Sequence, residues 1–339
     1  MRTAEAVSFG HPDKICDQIS DAILDECLIR DEDARVAIET MGGHGKIYIC
    51  GEISMNNMMN KSDISAIARK VYRSCGYEDE VKIQVNVVSQ SPDISQGVDN
   101  GGAGDQGIMI GYACNDNEQM IPQELYLARK ILKEVIDLGY GPDGKSQVTL
   151  NDQKEISRLV LSVQHKENET VDSIKEAIRQ SGIIFNCSPL AKDIEIIVNG
   201  TGKFVIGGFQ GDTGLTGRKI VQDAYGPQVS VGGGAFSGKD PSKVDRSAAY
   251  MARKIAVDLL KDLSIYDEAL VKIAYSIGVA EPVMAVAEIG TLKAEIDLLK
   301  GCKYDLTPKG IIDFLDLKKP IYQKTAKNGH FGNGFNWDK

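Results

Sequence analysis

The sequence lacks several features that would assign it to a particular class of protein. None of its seven cysteines forms a C-x-x-C pair, and their odd number does not fit a complete set of disulfides. No apolar run approaches membrane-spanning length, and the N-terminus has no apolar signal core. With a net charge of −9, the chain also lacks the basic excess of general nucleic-acid binders. These absences predict a cytoplasmic protein with reduced thiols that binds neither membrane nor nucleic acid.

The chain has enough apolar sequence for two or three folded domains. Hydrophobic residues make up 42% of its 339 positions, which is ample for several cores. Because the protein is acidic overall, an anionic substrate would need a local pocket of positive charge.

A repeated order of elements predicts an α+β fold. Proline-led helices begin at 12, 122 and 241, and each is followed by two strands and another helix. We expect three similar α/β-sandwich-like domains with pseudo-threefold symmetry, at 1–100, 101–205 and 206–339, with helices on one face of each mostly antiparallel sheet. The strand at 47–50 is apolar on both sides, so the other sheet face is expected to pack in a symmetric dimer.

Two segments are interpreted as irregular. Residues 1–10 are interpreted as a lead-in to the first helix. The stretch 90–107 holds five glycines and almost no apolar residues, which is typical of a mobile loop and makes it a candidate lid.

The stretch 232–247 is the leading candidate for a binding site. Four glycines expose backbone N–H groups, and Pro241 favours the first turn of a helix, so an anion could be bound there. Charged residues accompany the glycines, namely the cations Lys239, Lys243 and Arg246 and the possible metal ligands Asp240 and Asp245. The pattern favours a metal-bound polyphosphate, with a plain glycine turn and a helix start as the alternative.

This stretch nearly matches the phosphate-loop motif G-x-x-x-x-G-K. Gly233, Gly238 and Lys239 fit, but Asp240 stands where that motif has Ser or Thr. Because the magnesium-binding hydroxyl is missing, we expect a different nucleotide-binding architecture.

Other residues fit the same chemistry. His11 precedes the first helix, and Pro12 and Asp13 already explain the helix start, which favours a functional role for the histidine. Glu39 and Glu52 end apolar strands, where an acid is either solvated or a ligand for a cation or an amine.

The glycine-rich segments 202–208 and 211–219 also offer backbone amides to an anion. Arg218 and Lys219 are suited to neutralising phosphates, while Phe204 either stacks on a base or belongs to the core.

The motifs together resemble those of the S-adenosylmethionine synthetase family. They are GHPDKICDQISDAILD at 10–25, QSPDISQGVD at 90–99, GAGDQG at 102–107, DGKSQVT at 143–149, GDTGLTGRK at 211–219, GGGAFSGKDPSKVDRSAAY at 232–250 and YSIGVAEP at 275–282. The resemblance covers essentially the whole chain. It implies three domains with pseudo-threefold symmetry and a homodimer, often paired into a homotetramer, with active sites between subunits.

The implied reaction joins ATP, L-methionine and water to give S-adenosylmethionine, phosphate and diphosphate. Methionine sulfur attacks C5′ of ATP, and the displaced triphosphate is then hydrolysed. The resemblance implies two Mg²⁺ ions per site, held by Asp13 and Asp245, and an activating K⁺ at Glu39.

The resemblance also assigns substrate-binding residues. Catalytic roles fall on His11, Lys145, Arg218 and Lys239. The ATP site would comprise His11, Asp143, Gly144, Lys145, Lys203, Phe204, Asp212, Arg218, Lys219, Ala235 and Lys239. The methionine site would comprise Glu52, Gln90, Asp105, Asp212 and Lys243.

The sequence departs from the family pattern at four places. Phe9 stands where the family usually has Glu, and Lys203 replaces a usual Arg, which keeps the charge but loses the planar guanidinium. The loop between Asp99 and Gly102 is shorter than in the common bacterial form. In the ending GHFGNGFNW, Asn333 follows HFG where the family has Arg. The departures bear on lid closure, turnover and substrate selectivity.

Two alternatives remain open at the level of sequence. One is a catalytically silent relative that binds nucleotide as a regulatory subunit. The other is a phosphate-loop NTPase, which Asp240 disfavours and which would hydrolyse ATP regardless of methionine.

Overall fold

The computed structural model describes residues 1–90, 101–184 and 189–339. The strands are β1 Arg2–Val7, β2 Arg35–Gly43, β3 Lys46–Ser54, β4 Lys82–Val88, β5 Gly107–Cys114, β6 Gly144–Leu150, β7 Ile156–Val163, β8 Leu190–Val198, β9 Gly214–Leu215, β10 Glu268–Tyr275, β11 Met284–Ile289 and β12 Ala294–Asp297. The helices are α1 Pro12–Arg30, α2 Lys61–Ser74, α3 Gln123–Asp137, α4 Val171–Ser181, α5 Gly208–Gly211, α6 Ile220–Asp223, α7 Val244–Asp262, α8 Leu298–Gly301, α9 Pro308–Leu315 and α10 Tyr322–Asn328, with a 3₁₀ turn at Asn336–Asp338.

The strands of these residues form three four-stranded sheets. The first has the order β4-β3-β2-β9, the second β1-β6-β7-β8 and the third β12-β11-β10-β5. Neighbours are antiparallel except β3–β4 and β7–β8, which are parallel because α2 and α4 return the chain to the same end of the sheet. The predicted α+β class with three small sheets is confirmed.

Each sheet takes one strand from another third of the chain. β1 precedes α1 but pairs with β6 of the second sheet, from Arg2↔Leu150 to Val7↔Lys145. β5 precedes α3 but pairs with β10 of the third sheet, and β9 precedes α7 but pairs with β2 of the first. Each of the three units therefore contributes its leading strand to the sheet of another unit, and the three contributions form a closed cycle. The predicted boundaries at 100/101 and 205/206 remain a prediction.

The structure corrects several local predictions. Residues 1–10 contain β1, and Gly107 begins β5, while residues 91–100 of the predicted loop lie outside the described residues. The third long helix begins at Val244 and not at Pro241, because the Asp240 side chain accepts the Ser242 N–H at 2.9 Å in a turn that precedes the helix. Sequence periodicity also missed β12 and α10, both of which are short.

The long helices pack on one face of each sheet, as predicted. Among the described residues, one continuous core joins the first and third sheets through side chains such as Ile19, Ile49, Met251 and Ile273. The second sheet has its own core beneath α3 and α4. Helix α1 is buried on nearly all sides, and its buried residues include polar side chains along its length. Buried polar groups need partners, and those of α1 form the candidate site.

The described cysteines are all free thiols, in agreement with the expectation from their number. Cys50 is exposed, although the thiols were expected in the core, and Cys187 lies outside the described residues. Over the described ranges, no helix combines the length and apolar character needed to traverse a bilayer.

A buried ion pair joins α1 to α7. Both Nη atoms of Arg246 donate to the two Asp21 carboxylate oxygens, at 2.6 and 2.8 Å, and neither side chain is exposed. The same guanidinium donates to the Lys239 carbonyl, the Thr325 hydroxyl and the Tyr250 hydroxyl, and it lies 4.2 Å from the Tyr322 ring centroid. Arg246 thus connects both long helices to α10.

Replacing Asp21 by Asn should lower the free energy of unfolding by about 3–5 kcal/mol, because it leaves a buried guanidinium without its carboxylate. Urea unfolding followed by circular dichroism measures the effect. Arg30→Met is the control, since it breaks a half-exposed pair with Glu26 and should change stability little. A loss for Asp21→Asn no larger than that of the control would contradict the structural role of the pair.

Candidate active site

Four aspartates on one side of α1 hold the glycine-rich loops against it. Asp13, Asp17, Asp21 and Asp25 are spaced by four residues and therefore share a helix face. Each accepts backbone N–H groups from distant segments: Leu215 for Asp13, Gly217 for Asp17, Gly238 for Asp21, and Tyr322 and Gln323 for Asp25, at 2.8–2.9 Å. We call these four residues the aspartate row. Sequence analysis missed its role, although the spacing is visible in the sequence.

His11 caps α1 at the first end of the aspartate row. Its Nδ1 accepts the Asp13 N–H at 3.1 Å, and the side chain is 4% exposed. Burial, together with the nearby cations Lys219 and Lys145, lowers the pKa of His11 to about 3. The imidazole is therefore neutral at physiological pH. Because Nδ1 is the acceptor, the ring proton lies on Nε2.

Asp13 is the centre of a charged cluster. It forms an ion pair with Lys219, and Arg218 Nε lies 3.5 Å from Asp13 Oδ1. Although burial opposes ionisation, the hydrogen bonds from Lys219 and the Leu215 N–H lower the pKa of Asp13. This carboxylate is therefore charged and presents a hard oxygen donor beside two cations.

The second sheet adds Asp143 and Lys145 to this cluster. β1 pairs Val7 with Lys145, which brings the exposed lysine close enough to act on His11. Asp143 is 5% exposed and accepts the Gly208 N–H at 2.9 Å. Burial raises the pKa of Asp143 to about 6, against the opposing effect of Lys145. We call this the first cluster; its members are His11, Asp13, Asp143, Lys145, Asp212, Arg218 and Lys219.

A second cluster lies where the first sheet meets the start of α7. The Lys239 side chain forms an ion pair with Asp245, and the Lys239 backbone forms an isolated antiparallel β-bridge with Ala37 of β2. Glu39 and Glu52 are diagonal neighbours on the outward face, since Glu52 pairs with Ala37. Burial and the charge of Glu52 raise the pKa of Glu39, while Lys239 opposes the shift. The second cluster thus comprises Lys239, Asp245, Glu39 and Glu52.

Gln90 and Asp105 flank the part of the predicted loop outside the described residues. Gln90 donates its N–H to Ser54 Oγ at 3.0 Å, just beyond Glu52 on β3, and its side-chain oxygen is buried with no partner among the described residues. Asp105 is exposed and caps its own turn at Gln106. Gln90 therefore joins the second cluster.

The remaining predicted ATP-site residues are Gly144, Lys203, Phe204 and Ala235. Gly144 is buried at the start of β6, and its carbonyl accepts the Ser8 N–H. Phe204 donates its N–H to His165 Nε2 at 3.0 Å, at the end of β7, and Lys203 pairs with Glu167 at 3.3 Å on the surface. Ala235 lies against Gly217, because a Cβ added to Gly217 would come within 2.6 Å of the Ala235 Cβ. The loop 232–238 thus touches the segment that carries Arg218.

Three charged residues of the stretch 232–247 serve the fold. Asp240 is fully buried, accepts the Val36 and Ser242 N–H groups and pairs with Lys243, so it is not a free metal ligand. Arg246 is saturated by Asp21 and its other partners. The interpretation of Asp240 and Arg246 as metal and phosphate ligands was therefore wrong. Lys243, predicted at the methionine site, is held by the buried Asp240.

The donor set suits magnesium only together with another ligand. Over the described ranges, no three His, Cys, Asp or Glu side chains are grouped to hold a metal ion. Asp13 and Asp245 lie in separate clusters, each beside a lysine. Magnesium at nucleotide sites is commonly bound through one or two carboxylates and completed by phosphate oxygens and water, which this arrangement fits.

Comparison with known proteins identifies the family. Sequence models of the N-terminal, central and C-terminal domains of S-adenosylmethionine synthetase match residues 1–97, 100–204 and 206–339. The chain belongs to the S-adenosylmethionine synthetase family. The family resemblance drawn from the motifs is confirmed.

Relatives of this family match along almost their entire length. The S-adenosylmethionine synthases of Wolinella succinogenes and Helicobacter hepaticus are 46% and 45% identical, and each alignment covers 99% of this chain and 95% of the relative. The solved structure of an unusual S-adenosylmethionine synthetase from Campylobacter jejuni is 30% identical, with a TM-score of 0.89. That match covers 100% of this chain and 96% of the other.

The His11 imidazole should remain neutral until the pH nears 3. The unfolded chain takes up this proton near pH 6.5, so His11 should make the folded state less stable as the pH falls from 6.5 towards 3. Imidazole NMR shifts measure the titration, and His11→Asn identifies the resonance. A midpoint above pH 5 would contradict the buried, cation-flanked environment.

Proposed function

We propose that the chain makes S-adenosylmethionine from ATP and L-methionine, releasing phosphate and diphosphate. The observation that carries the proposal is the first cluster, in which a neutral histidine lies beside Lys145, Arg218 and Lys219 in a protein of net charge −9. Such a concentration of cations suits a triphosphate and little else of metabolic size. Family membership supports the same substrates.

The sulfur of methionine attacks C5′ of ATP, the C5′–O bond breaks, and its electron pair leaves with the triphosphate. A thioether is a modest neutral nucleophile, so the barrier depends on stabilising the negative charge that grows on the leaving oxygen. Lys145, Arg218 and Lys219 supply positive charge for this purpose in the first cluster, and Lys239 does so in the second. Water then cleaves the triphosphate into phosphate and diphosphate.

His11 acts as a hydrogen-bond donor and not as a charged acid. With Nδ1 held by the Asp13 N–H, Nε2–H is free to donate to the leaving oxygen at the C5′ bond. A neutral donor of this kind stabilises developing charge without a prior proton uptake, and the low pKa of the ring keeps it in that state. Asp143 and Phe204 would line the nucleoside end of the ATP site.

Asp13 and Asp245 would each hold one Mg²⁺ ion. When bound to the phosphates, magnesium supplies Lewis-acid stabilisation of the charge on their oxygens. The two carboxylates are oxygen donors next to the lysines that would contact the same phosphates.

Glu39 and Glu52 would each bind one of the two remaining cations, K⁺ and the ammonium group of methionine. Burial and the neighbouring Glu52 carboxylate raise the pKa of Glu39, so positive charge placed between the two carboxylates is favourable. We assign K⁺ to Glu39 and the ammonium group of methionine to Glu52, with Asp105 and Gln90, whose side-chain oxygen has no partner among the described residues, as further methionine ligands.

The two clusters would form complete sites across a homodimer. The outward face of the first sheet carries Met41, Tyr48, Val88 and Leu215, which are 38–55% exposed, next to Glu39 and Glu52. An uncovered apolar sheet face of this kind favours sheet-on-sheet packing against a second copy. The first cluster of one protomer would then meet the second cluster of its partner. Pairing of such dimers into a homotetramer would leave this arrangement unchanged.

The decisive experiment is detection of S-adenosylmethionine by mass spectrometry, using purified protein with ATP, methionine, Mg²⁺ and K⁺. The expected product appears only when both substrates are present, together with phosphate and diphosphate. Nucleotide binding without product would contradict the proposal in favour of a silent relative. Phosphate release that is indifferent to methionine would contradict it in favour of a simple NTPase.

Replacing Lys239 by Ala should lower turnover by about 100-fold or more, because one cation that faces the triphosphate is lost. Initial rates of S-adenosylmethionine formation measure the effect. Lys309→Ala is the matched control, since this lysine pairs with Asp313 on the surface of α9 and should leave the rate unchanged. A Lys239→Ala rate within severalfold of the parent protein would contradict the assigned role.

A further inference from the structure

A cavity of about 320 Å³ lies behind the first cluster, between β1, α3 and the C-terminal segment that follows α10. Its lining includes Phe9, Ile136 and Asn333, but not His11, Asp13 or Lys219. A volume of this size accommodates a small organic molecule. The cavity is therefore separate from the site proposed for ATP.

Two departures from the family pattern meet in this cavity. Phe9 stands where the family usually has Glu, and Asn333 stands where it has Arg after HFG. The positions are distant in the chain, yet both side chains line the same space. A charged pair is thus replaced by a benzyl and a small amide group, which leaves the cavity wall less charged and more apolar.

The cavity lining also carries more positive than negative charge. Arg129 donates to the carbonyls of Phe331, Gln222 and Ala224, and the nearby carboxylates of Asp223 and Asp338 offset part of its charge. Burial lowers the pKa of its guanidinium to about 10. Lys327 lies 4.8 Å from the Phe9 ring centroid and makes no ion pair with a described residue. These two cations favour an anionic occupant.

Not every cation of the lining is available to a ligand. Lys14 is neutralised by Asp17 at 3.0 Å and Asp223 at 2.6 Å, and Lys133 pairs with Asp137 at the surface. Arg129 and Lys327 line the cavity too and form no ion pair of this kind with a described residue, so part of their charge is available to a ligand.

We propose that this cavity is a second binding site, for an organic anion with an aromatic body. The anionic group meets Arg129 and Lys327, and the ring packs on Phe9. Because Phe9 lies two residues from His11, an occupant of this site adjoins the catalytic segment. The proposal does not depend on the reaction assigned above.

The test uses 8-anilinonaphthalene-1-sulfonate, which has a sulfonate and aromatic rings and which fluoresces when bound in apolar sites. The folded protein should bind it saturably, with one site per chain. 1-Naphthoate should displace it, whereas 1-naphthylmethylammonium, with the opposite charge, should not. A saturating non-hydrolysable ATP analogue should leave it bound.

Two variants connect binding to the cavity. Lys327→Glu, a surface change, should weaken binding by about tenfold or more through charge reversal. The double variant Phe9→Glu with Asn333→Arg restores the family residues and should abolish binding while retaining S-adenosylmethionine formation. Phe314→Glu is the matched control, because this ring is 51% exposed on α9, away from the cavity, and should not alter binding.

Circular dichroism of each variant confirms that it is folded. Unchanged binding in both Lys327→Glu and the double variant, displacement by the ATP analogue, or equal displacement by the two naphthyl compounds would overturn the proposal. Loss of binding in the folded double variant, with binding retained in Phe314→Glu, would support it, whatever the result for the reaction itself.

Discussion

The aspartate row of α1 is the interaction on which the candidate site depends. Each of its carboxylates accepts backbone N–H groups from a segment that is distant in the chain. Three of the four are also paired with a cation, which offsets the cost of burying the charge. A single helix therefore fixes the segment around 215–217, the turn at Gly238 and the start of α10. Glycine at 238 is required for this close approach, since its φ is +82° and it lies against the Ile38 carbonyl.

The exchange of leading strands explains how residues so far apart in the chain reach the same place. β1 brings His11 to Lys145 of the second sheet, and β9 brings Arg218 and Lys219 to the start of α1. Had each unit kept its own strand, these charges would lie in different sheets. The same exchange places Gly107 and β5 beside α7, near Asp245. The strand pairings that complete the three sheets therefore also bring together the charged residues of the candidate site within one chain.

Sequence periodicity predicted the long helices and hairpins, because their apolar spacing is local. It could not predict β1 or β5, since neither has a partner nearby in the chain and pairing decides whether such segments are strands. Glycine loops and isolated charges indicated the regions that form the candidate site, but charge alone did not separate the partly exposed Lys239 from the buried Asp240 and Arg246. That distinction depends on burial and partners, which only the tertiary structure supplies.

The pairing of site cations with site carboxylates reconciles an acidic protein with a polyphosphate substrate. Lys219 rests on Asp13 and Lys239 on Asp245, so each cation is compensated before any substrate arrives. Leaving these lysines unpaired in a partly buried cleft would cost several kcal/mol each. In the proposed reaction, a phosphate that takes over a lysine would free a carboxylate in exchange, and the freed carboxylate would then suit a divalent cation on the same phosphate. The total charge of the cleft would stay near balance, which accounts for the alternation of acids and bases there.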